Sequence, residues 1–193
     1  MTDTKNNTPL SGREVLLCVT GGIACYKAAD LASRLVAAGA NVHVAMTEAA
    51  VRFVAPLTFQ ALTHHPVFTS LWQADERCDS GHIALTDRAE IMIVAPATAD
   101  ILGKLAAGIA DDLVSTLFLA ATGACAVLAA PAMNTRMWNA PAVQANIARL
   151  KDWSVQFVGP AEGRLACGTT GPGRMAEPPD ILAAAVDILT RAS

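Results

Sequence analysis

The sequence predicts an α/β domain, a doubly wound parallel sheet in three layers, and three observations carry that prediction. First, IMIVA (91–95) and ACAVLAA (124–130) are apolar at every position, and EVLLCVT (14–20) is so from Val15 to Val19. Only strands covered on both faces read that way. Second, these runs alternate with helical stretches through short connections, the pattern of βαβ units. Third, 53% of the 193 residues are hydrophobic and only 5% aromatic, so the apolar mass is Ala, Val, Leu and Ile. A chain this apolar buries a sizeable core and is not disordered.

The elements follow in order. Residues 1–12 read as a polar, flexible arm ahead of one domain over 13–193. A strand over 14–20 runs into Gly21-Gly22, then a helix over 23–38 closed by Gly39, then a strand over 42–46. Residues 48–63 are helical with a break at Pro56, and 67–71 form a short strand. A polar loop (73–81) leads to a short helix (82–88), the strand 91–95, and a helix after Pro96–Asp100. A helix over 111–121, a strand over 124–130, a helix over 139–150 and a last strand over 155–158 complete the alternation. A glycine-rich loop over 159–174 precedes a closing helix over 179–191; a loop that long reads as a binding loop or lid.

Composition excludes several classes. With 14 basic and 17 acidic residues the net charge is −3, which gives no support to a nucleic-acid partner. The uncharged stretch Leu113–Thr135 is long enough to span a bilayer, but Thr122-Gly123 and Pro131 break it. It reads as a buried helix, a turn and a buried strand, so no membrane is expected. Charged residues are only 16%, which points to surface buried by self-association. The N-terminal segment has no apolar signal core. The five cysteines (18, 25, 78, 125, 167) are odd in number and lack C-x-x-C or zinc spacing. Free thiols in a cytoplasmic setting, with no metal, are the expectation.

Ligands of such sheets bind beyond the carboxyl ends of the strands, and four strand ends carry distinctive residues. Gly21-Gly22 lets backbone approach a ligand and aims a helix start at it, which suits a phosphate; it is not G-x-G-x-x-G, so a mononucleotide fits better than a dinucleotide. A plain tight turn is the other reading. Thr47 ends the second strand. Pro96-Ala97-Thr98-Ala99-Asp100 offers room for a flat ring or phosphate, or a simple N-cap at Thr98 or Asp100. In Pro131–Trp138, Asn134 can both donate and accept, as a carboxylate or amide requires. Met133, Met137 and Trp138 read as core packing, with Met133 the best placed to line a cavity. His43, His64 and His65 carry no assigned role. His82 opens a helix, where the positive end favours neutral imidazole, a general base; a capping or surface histidine is the other reading, and position alone favours it. Cys167 lies in a loop between Arg164 and Arg174, where cations favour thiolate and make it a proton donor, or it is incidental.

Gly81-His82, APATAD (95–100), PAMNTRMW (131–138) and ACGTTGPGRM (166–175) together resemble the flavin-containing cysteine decarboxylases over about residues 13–190. The branch they resemble most is the one acting on phosphopantothenoylcysteine, free-standing or as the N-terminal half of a bifunctional coenzyme A enzyme. The resemblance implies a flavodoxin-like (Rossmann-like) fold and an FMN cofactor whose ring lies at a protomer contact in trimers that build dodecamers. It assigns the catalytic base to His82, the grip on the small-molecule substrate to Asn134, and the final proton to Cys167. FMN contacts fall on Gly21, Gly22 and Ile23, on Thr47, on Ala97, Thr98, Ala99 and Asp100, and on Ala132 and Met133, with Phe59 near the ring. Arg174 and the 159–175 loop become candidates to cover and bind substrate. The chain departs from the family in reading Thr98-Ala99-Asp100 for Ser-Ala-Asn, which leaves the contact of Asp100 open, and Gly21-Gly22 for the common Gly-Ser. Three rivals share parts of these marks. A peptide C-terminal-cysteine oxidative decarboxylase stops at the enethiol, which the Cys167 segment argues against. A flavin prenyltransferase wants a different charge cluster. A regulatory flavoprotein needs none of His82, Asn134 and Cys167.

Overall fold

In a computed structural model, which describes residues 8–72, 81–164, 168 and 170–191, six parallel strands form one sheet. They are β1 (Glu14–Val19), β2 (Asn41–Met46), β3 (Val67–Phe68), β4 (Ile91–Ala97), β5 (Ala126–Pro131) and β6 (Gln156–Phe157). Their order is β3-β2-β1-β4-β5-β6. The winding reverses between β1 and β4, which pair in register from Val15 with Ile91 to Cys18 with Val94. That reversal is the topological switch point, where the loops leaving the two strands part and open a crevice.

Alternation along each strand explains why whole runs are apolar. Val15, Leu17, Val19, Ile91 and Ile93 face one core, and Leu16, Cys18, Met92 and Val94 face the other. The first core is covered by α1 (Cys25–Ala37), α2 (Glu48–Val51), α3 (Pro56–Thr63) and α9 (Pro178–Arg191). The second is covered by α4 (Gly81–Arg88), α5 (Ala99–Ala107), α6 (Leu113–Ala121) and α8 (Pro141–Asp152). The uncharged stretch 113–135 is α6, a turn and β5, and among the described residues no helix is long and apolar enough to cross a membrane.

Several expectations need correction. The glycine-rich stretch after β6 is not an open loop: β7 (Ala161–Arg164) and β8 (Thr170–Arg174) form an antiparallel hairpin. Glycines hid the strand pattern because a side chain has no room there; a Cβ on Gly173 would lie 2.2 Å from the carbonyl oxygen of Met133. The described end of the N-terminal arm is packed. Leu10 is fully buried and its N–H donates to the Ala38 carbonyl at 3.0 Å. The helix expected over 139–150 starts at Pro141, and a separate turn, α7 (Thr135–Trp138), precedes it. Proline at the first position starts α8 there, since its missing N–H costs nothing. The polar loop 73–81 lies almost wholly outside the described residues.

At the other end of the sheet, His43 Nε2 lies 3.3 Å from Glu14 Oε2, and His65 Nε2 meets Asn41 Oδ1 at 2.6 Å. Burial holds His43 below the usual histidine pKa, helped by His65 and Arg88 and opposed by Glu14. A depressed native pKa means the unfolded chain takes up a proton that the folded one refuses, so stability is lost as pH falls below the ordinary histidine range. His43→Gln is expected to flatten the decline in Tm between pH 7 and pH 5, roughly the range over which an unperturbed histidine titrates. An unchanged slope in thermal melts would assign acid sensitivity elsewhere.

Candidate active site

The switch point opens into a cleft of about 1100 Å³ at the carboxyl ends of β1, β2, β4 and β5. Gly21, Gly22 and Ile23 line it from the β1–α1 turn, Thr47 from the end of β2, and Thr98, Ala99 and Asp100 from the start of α5. Ala132, Met133 and Asn134 enter from the end of β5, and Arg174 from the end of β8. Residues 20 to more than 150 apart in sequence therefore meet in one place.

Each wall has a local cause. Gly21 is pressed against α2: a Cβ there would fall 2.4 Å from Ala49 Cβ and 2.9 Å from its carbonyl carbon. Of the helices beginning at the cleft, α2, α5, α6 and α7 are capped by Thr47, Thr98, Asp112 and Asn134. Among the described residues, α1 alone of these has no capping side chain, and its first turn holds no acid. Cys25 N and Lys27 N are already spent on the Gly22 (3.0 Å) and Ala24 (2.9 Å) carbonyls, so what this end offers an anion is the positive end of the helix and the Gly21-Gly22 backbone. Thr47 and Thr98 spend an oxygen lone pair on Ala50 N (3.2 Å) and Ile101 N (3.3 Å), which leaves each hydroxyl proton to donate. Asn134 Oδ1 accepts from Arg136 N at 2.8 Å, which fixes the side chain at the mouth of the cleft.

The hairpin closes one side. Met133 N donates to the Gly173 carbonyl at 2.9 Å, stitching β8 to the segment that carries Asn134. Opposite, Lys104 Nζ holds Asp111 (2.9 Å) and Asp112 (3.0 Å) and lies 3.8 Å from Asp100. The hydrogen bond to Asp111 is the first cause that raises the Lys104 pKa, and the same bond lowers that of Asp111. Together they pin the turn between α5 and α6 at the edge of the cleft.

Two expected contacts are placed elsewhere. Phe59 is fully buried in the core under α1, because α3 turns Phe59 and Thr63 inward, and it does not line the cleft. Ala97 is buried in the second core, behind the cleft wall. His82 is the second residue of α4, but its side chain lies outside the described residues, as does Cys167. The sequence reading missed Lys27, Lys104 and Asp111, all of which line the cleft.

The model of the family described as Flavoprotein matches residues 3–190. The chain belongs to the flavoprotein family. It is 54% identical over 173 residues to the coenzyme A biosynthesis bifunctional protein CoaBC of Bacillus subtilis (strain 168), covering 90% of this chain and 42% of that one. The chain thus spans about two-fifths of the length of such bifunctional relatives. It is 42% identical over 165 residues to a probable phosphopantothenoylcysteine decarboxylase of Streptococcus mutans serotype c (strain ATCC 700610 / UA159), covering 86% and 92% of the two chains. Among solved structures, a cysteine-to-serine mutant of PPC decarboxylase complexed with pantothenoylaminoethenethiol superposes with a TM-score of 0.81 at 29% identity, over 94% of this chain and all of that one. The FMN-dependent cysteine decarboxylase SpaF gives 0.81 and 29%, over 95% and 98%. Within the flavoprotein family, the chain is on the cysteine-decarboxylase branch that its motifs resemble.

Proposed function

We propose that this flavoprotein decarboxylates 4′-phosphopantothenoylcysteine to 4′-phosphopantetheine, a step of coenzyme A biosynthesis. The observation that carries the reading is the meeting, in one cleft, of a mononucleotide cradle and the Asn134–Arg174 edge. The cradle fits FMN. The uncapped start of α1 and the Gly21-Gly22 backbone suit its phosphate, the hydroxyls of Thr47 and Thr98 can donate to it, and Ala99, Ala132 and Met133 leave space for a flat ring. FMN supplies a reversible two-electron sink, which a β-thiol carboxylate lacks and needs if its carboxylate is to leave.

The residues do the rest. Asn134 holds the carboxylate by donating its amide N–H. Arg174 adds a positive charge for an anionic substrate. His82 takes the proton that leaves as the C–S unit is oxidised; after carbon dioxide has gone, Cys167 donates the proton that, together with the two electrons returned from the sink, turns the enethiol into the saturated thiol. Cys167→Ser is therefore expected to release carbon dioxide and accumulate the enethiol, visible as a mass two hydrogens below product. The enethiol-type ligand in the related cysteine-to-serine mutant supports this. Normal phosphopantetheine output from that variant would take Cys167 out of the reaction.

Self-association as a trimer, or as a dodecamer built of four trimers, completes the reading, in the cytoplasm, where Cys18, Cys25 and Cys125 stay free. Ile23 and Tyr26 line the cleft, and Phe53 and Leu57 stand on the neighbouring α2–α3 segment; all four are more than half exposed. Apolar surface at a cleft rim is what a second copy covers. Sedimentation of the yellow protein checks it, with a monomer the adverse result.

The deciding experiment is anaerobic incubation with 4′-phosphopantothenoylcysteine, followed by mass spectrometry and the visible spectrum. Loss of carbon dioxide alone, over many turnovers with the flavin still oxidised, is expected. Loss of carbon dioxide plus two hydrogens, ending after one turnover with a bleached flavin, would move the chain to the oxidative peptide-type branch. Unchanged substrate would point to a peptide substrate or a regulatory role.

A further inference from the structure

We infer that Glu177 is a clasp that positions Arg174, and with it the β7–β8 hairpin, at the cleft, with the buried Lys27 as its anchor. Lys27 lies on the buried face of α1, with its side chain only 9% exposed. Its Nζ donates to the Met175 carbonyl at 3.2 Å and to Glu177 Oε1 at 2.8 Å, about 150 residues along the chain. A buried ammonium is costly, and an apolar residue of similar size packs there more cheaply, so a charge at that place needs a use beyond stability. The same Glu177 Oε1 accepts from Arg174 Nη2 at 2.7 Å. One carboxylate oxygen thus ties a cation inside α1 to a cation on the rim of the cleft.

The placement gives the tie its purpose. Arg174 ends β8, next to Gly173, which holds the Met133–Asn134 segment. Its side chain runs across Gly163 of β7, where a Cβ would come within 2.9 Å of Arg174 Cδ and Nη1. Glu177 sits between the hairpin and α9, so the clasp fixes the base of the hairpin to the body of the domain. A long guanidinium side chain held in one place binds an anion without first losing its rotamer freedom. Two cations on one carboxylate leave the group net positive, the sign an anionic substrate requires. The hydrogen bond from Lys27 keeps the Glu177 carboxyl below the usual range, so the clasp stays charged through mildly acidic pH.

The substrate arm of this inference rests on the decarboxylase reading; the hairpin arm does not. With FMN-loaded, oligomeric protein, Glu177→Gln and Lys27→Met are each expected to raise KM for 4′-phosphopantothenoylcysteine about tenfold with kcat within about twofold, as loss of one charge-assisted positioning contact predicts. Lys27→Arg is expected to restore KM. Because Glu177 acts through Arg174, adding Glu177→Gln to Arg174→Ala is expected to cost nothing further. Without substrate, native trypsin is expected to cut after Arg174 faster in Glu177→Gln than in wild type. Additive KM effects, or a lowered Tm with unchanged KM, would overturn the positioning role. Should wild-type protein not turn over this substrate, the decarboxylase reading fails by itself, and a wild-type cleavage rate in Glu177→Gln and Lys27→Met would then overturn the clasp.

Discussion

Asn134→Asp is expected to lower kcat/KM on 4′-phosphopantothenoylcysteine by two orders of magnitude while leaving the fold and the bound flavin intact. The substitution is informative because it preserves one role of the side chain and inverts the other. Asn134 caps α7 through Oδ1, which accepts from Arg136 N at 2.8 Å. Aspartate caps equally well, so α7 and the Met133–Gly173 stitch should survive. What is lost is the amide donor, and what is gained is a negative charge facing a carboxylate. Losing that hydrogen bond and adding a like charge costs about 3 kcal/mol, on the order of 100-fold in rate. The measurements are steady-state kinetics, the flavin spectrum and a thermal melt on one preparation. A wild-type kcat/KM would remove Asn134 from substrate recognition. A collapsed melt would show instead that the amide's second role lies in the fold.

The residues behind that prediction differ in how plainly the sequence announces them. β1, β4 and β5 are legible because both their faces are covered, so nothing polar interrupts the run, and their loops then have to meet at the switch point. That geometry alone collects Gly21, Thr98 and Asn134 from separate segments. The hairpin is illegible for the opposite reason. In β8, Gly171 and Gly173 lie pressed against Thr135 and Met133, and absent side chains carry no periodicity. Phe59 is a flat aromatic near the right segment, yet α3 turns it into the core, and helix rotation about its own axis is not written in so short a pattern. Lys27 did leave a signal. It falls four and eight residues before Leu31 and Leu35, on the apolar stripe of α1, where a lysine contradicts the face it sits on. Such a contradiction marks a paired charge, and the partner, Glu177, is too distant in sequence to be read from it.

His82→Asn is expected to reduce turnover by about 10³-fold, the contribution of a positioned general base, with flavin retained and Tm unchanged. His82 is the second residue of α4, so two roles compete for it: a proton acceptor in the reaction, or a side chain that serves only the start of the helix. Asparagine separates them. It keeps a hydrogen-bonding polar side chain in the first turn, so a histidine that serves only the start of the helix would be replaced with little loss. It has no basic nitrogen, so a proton acceptor would not. Anaerobic single-turnover absorbance isolates the step: with wild type, mixing with substrate is expected to perturb the flavin spectrum as the C–S unit is oxidised, and with His82→Asn that change should be absent while equilibrium binding of substrate persists. Cys167→Ser, mixed in the same way, should show the early spectral change and the release of carbon dioxide but no saturated thiol. The two variants therefore stop the reaction on opposite sides of decarboxylation. A His82→Asn enzyme that releases carbon dioxide at the wild-type rate would leave His82 as a helix-start residue and send the search for the base to the groups that line the cleft.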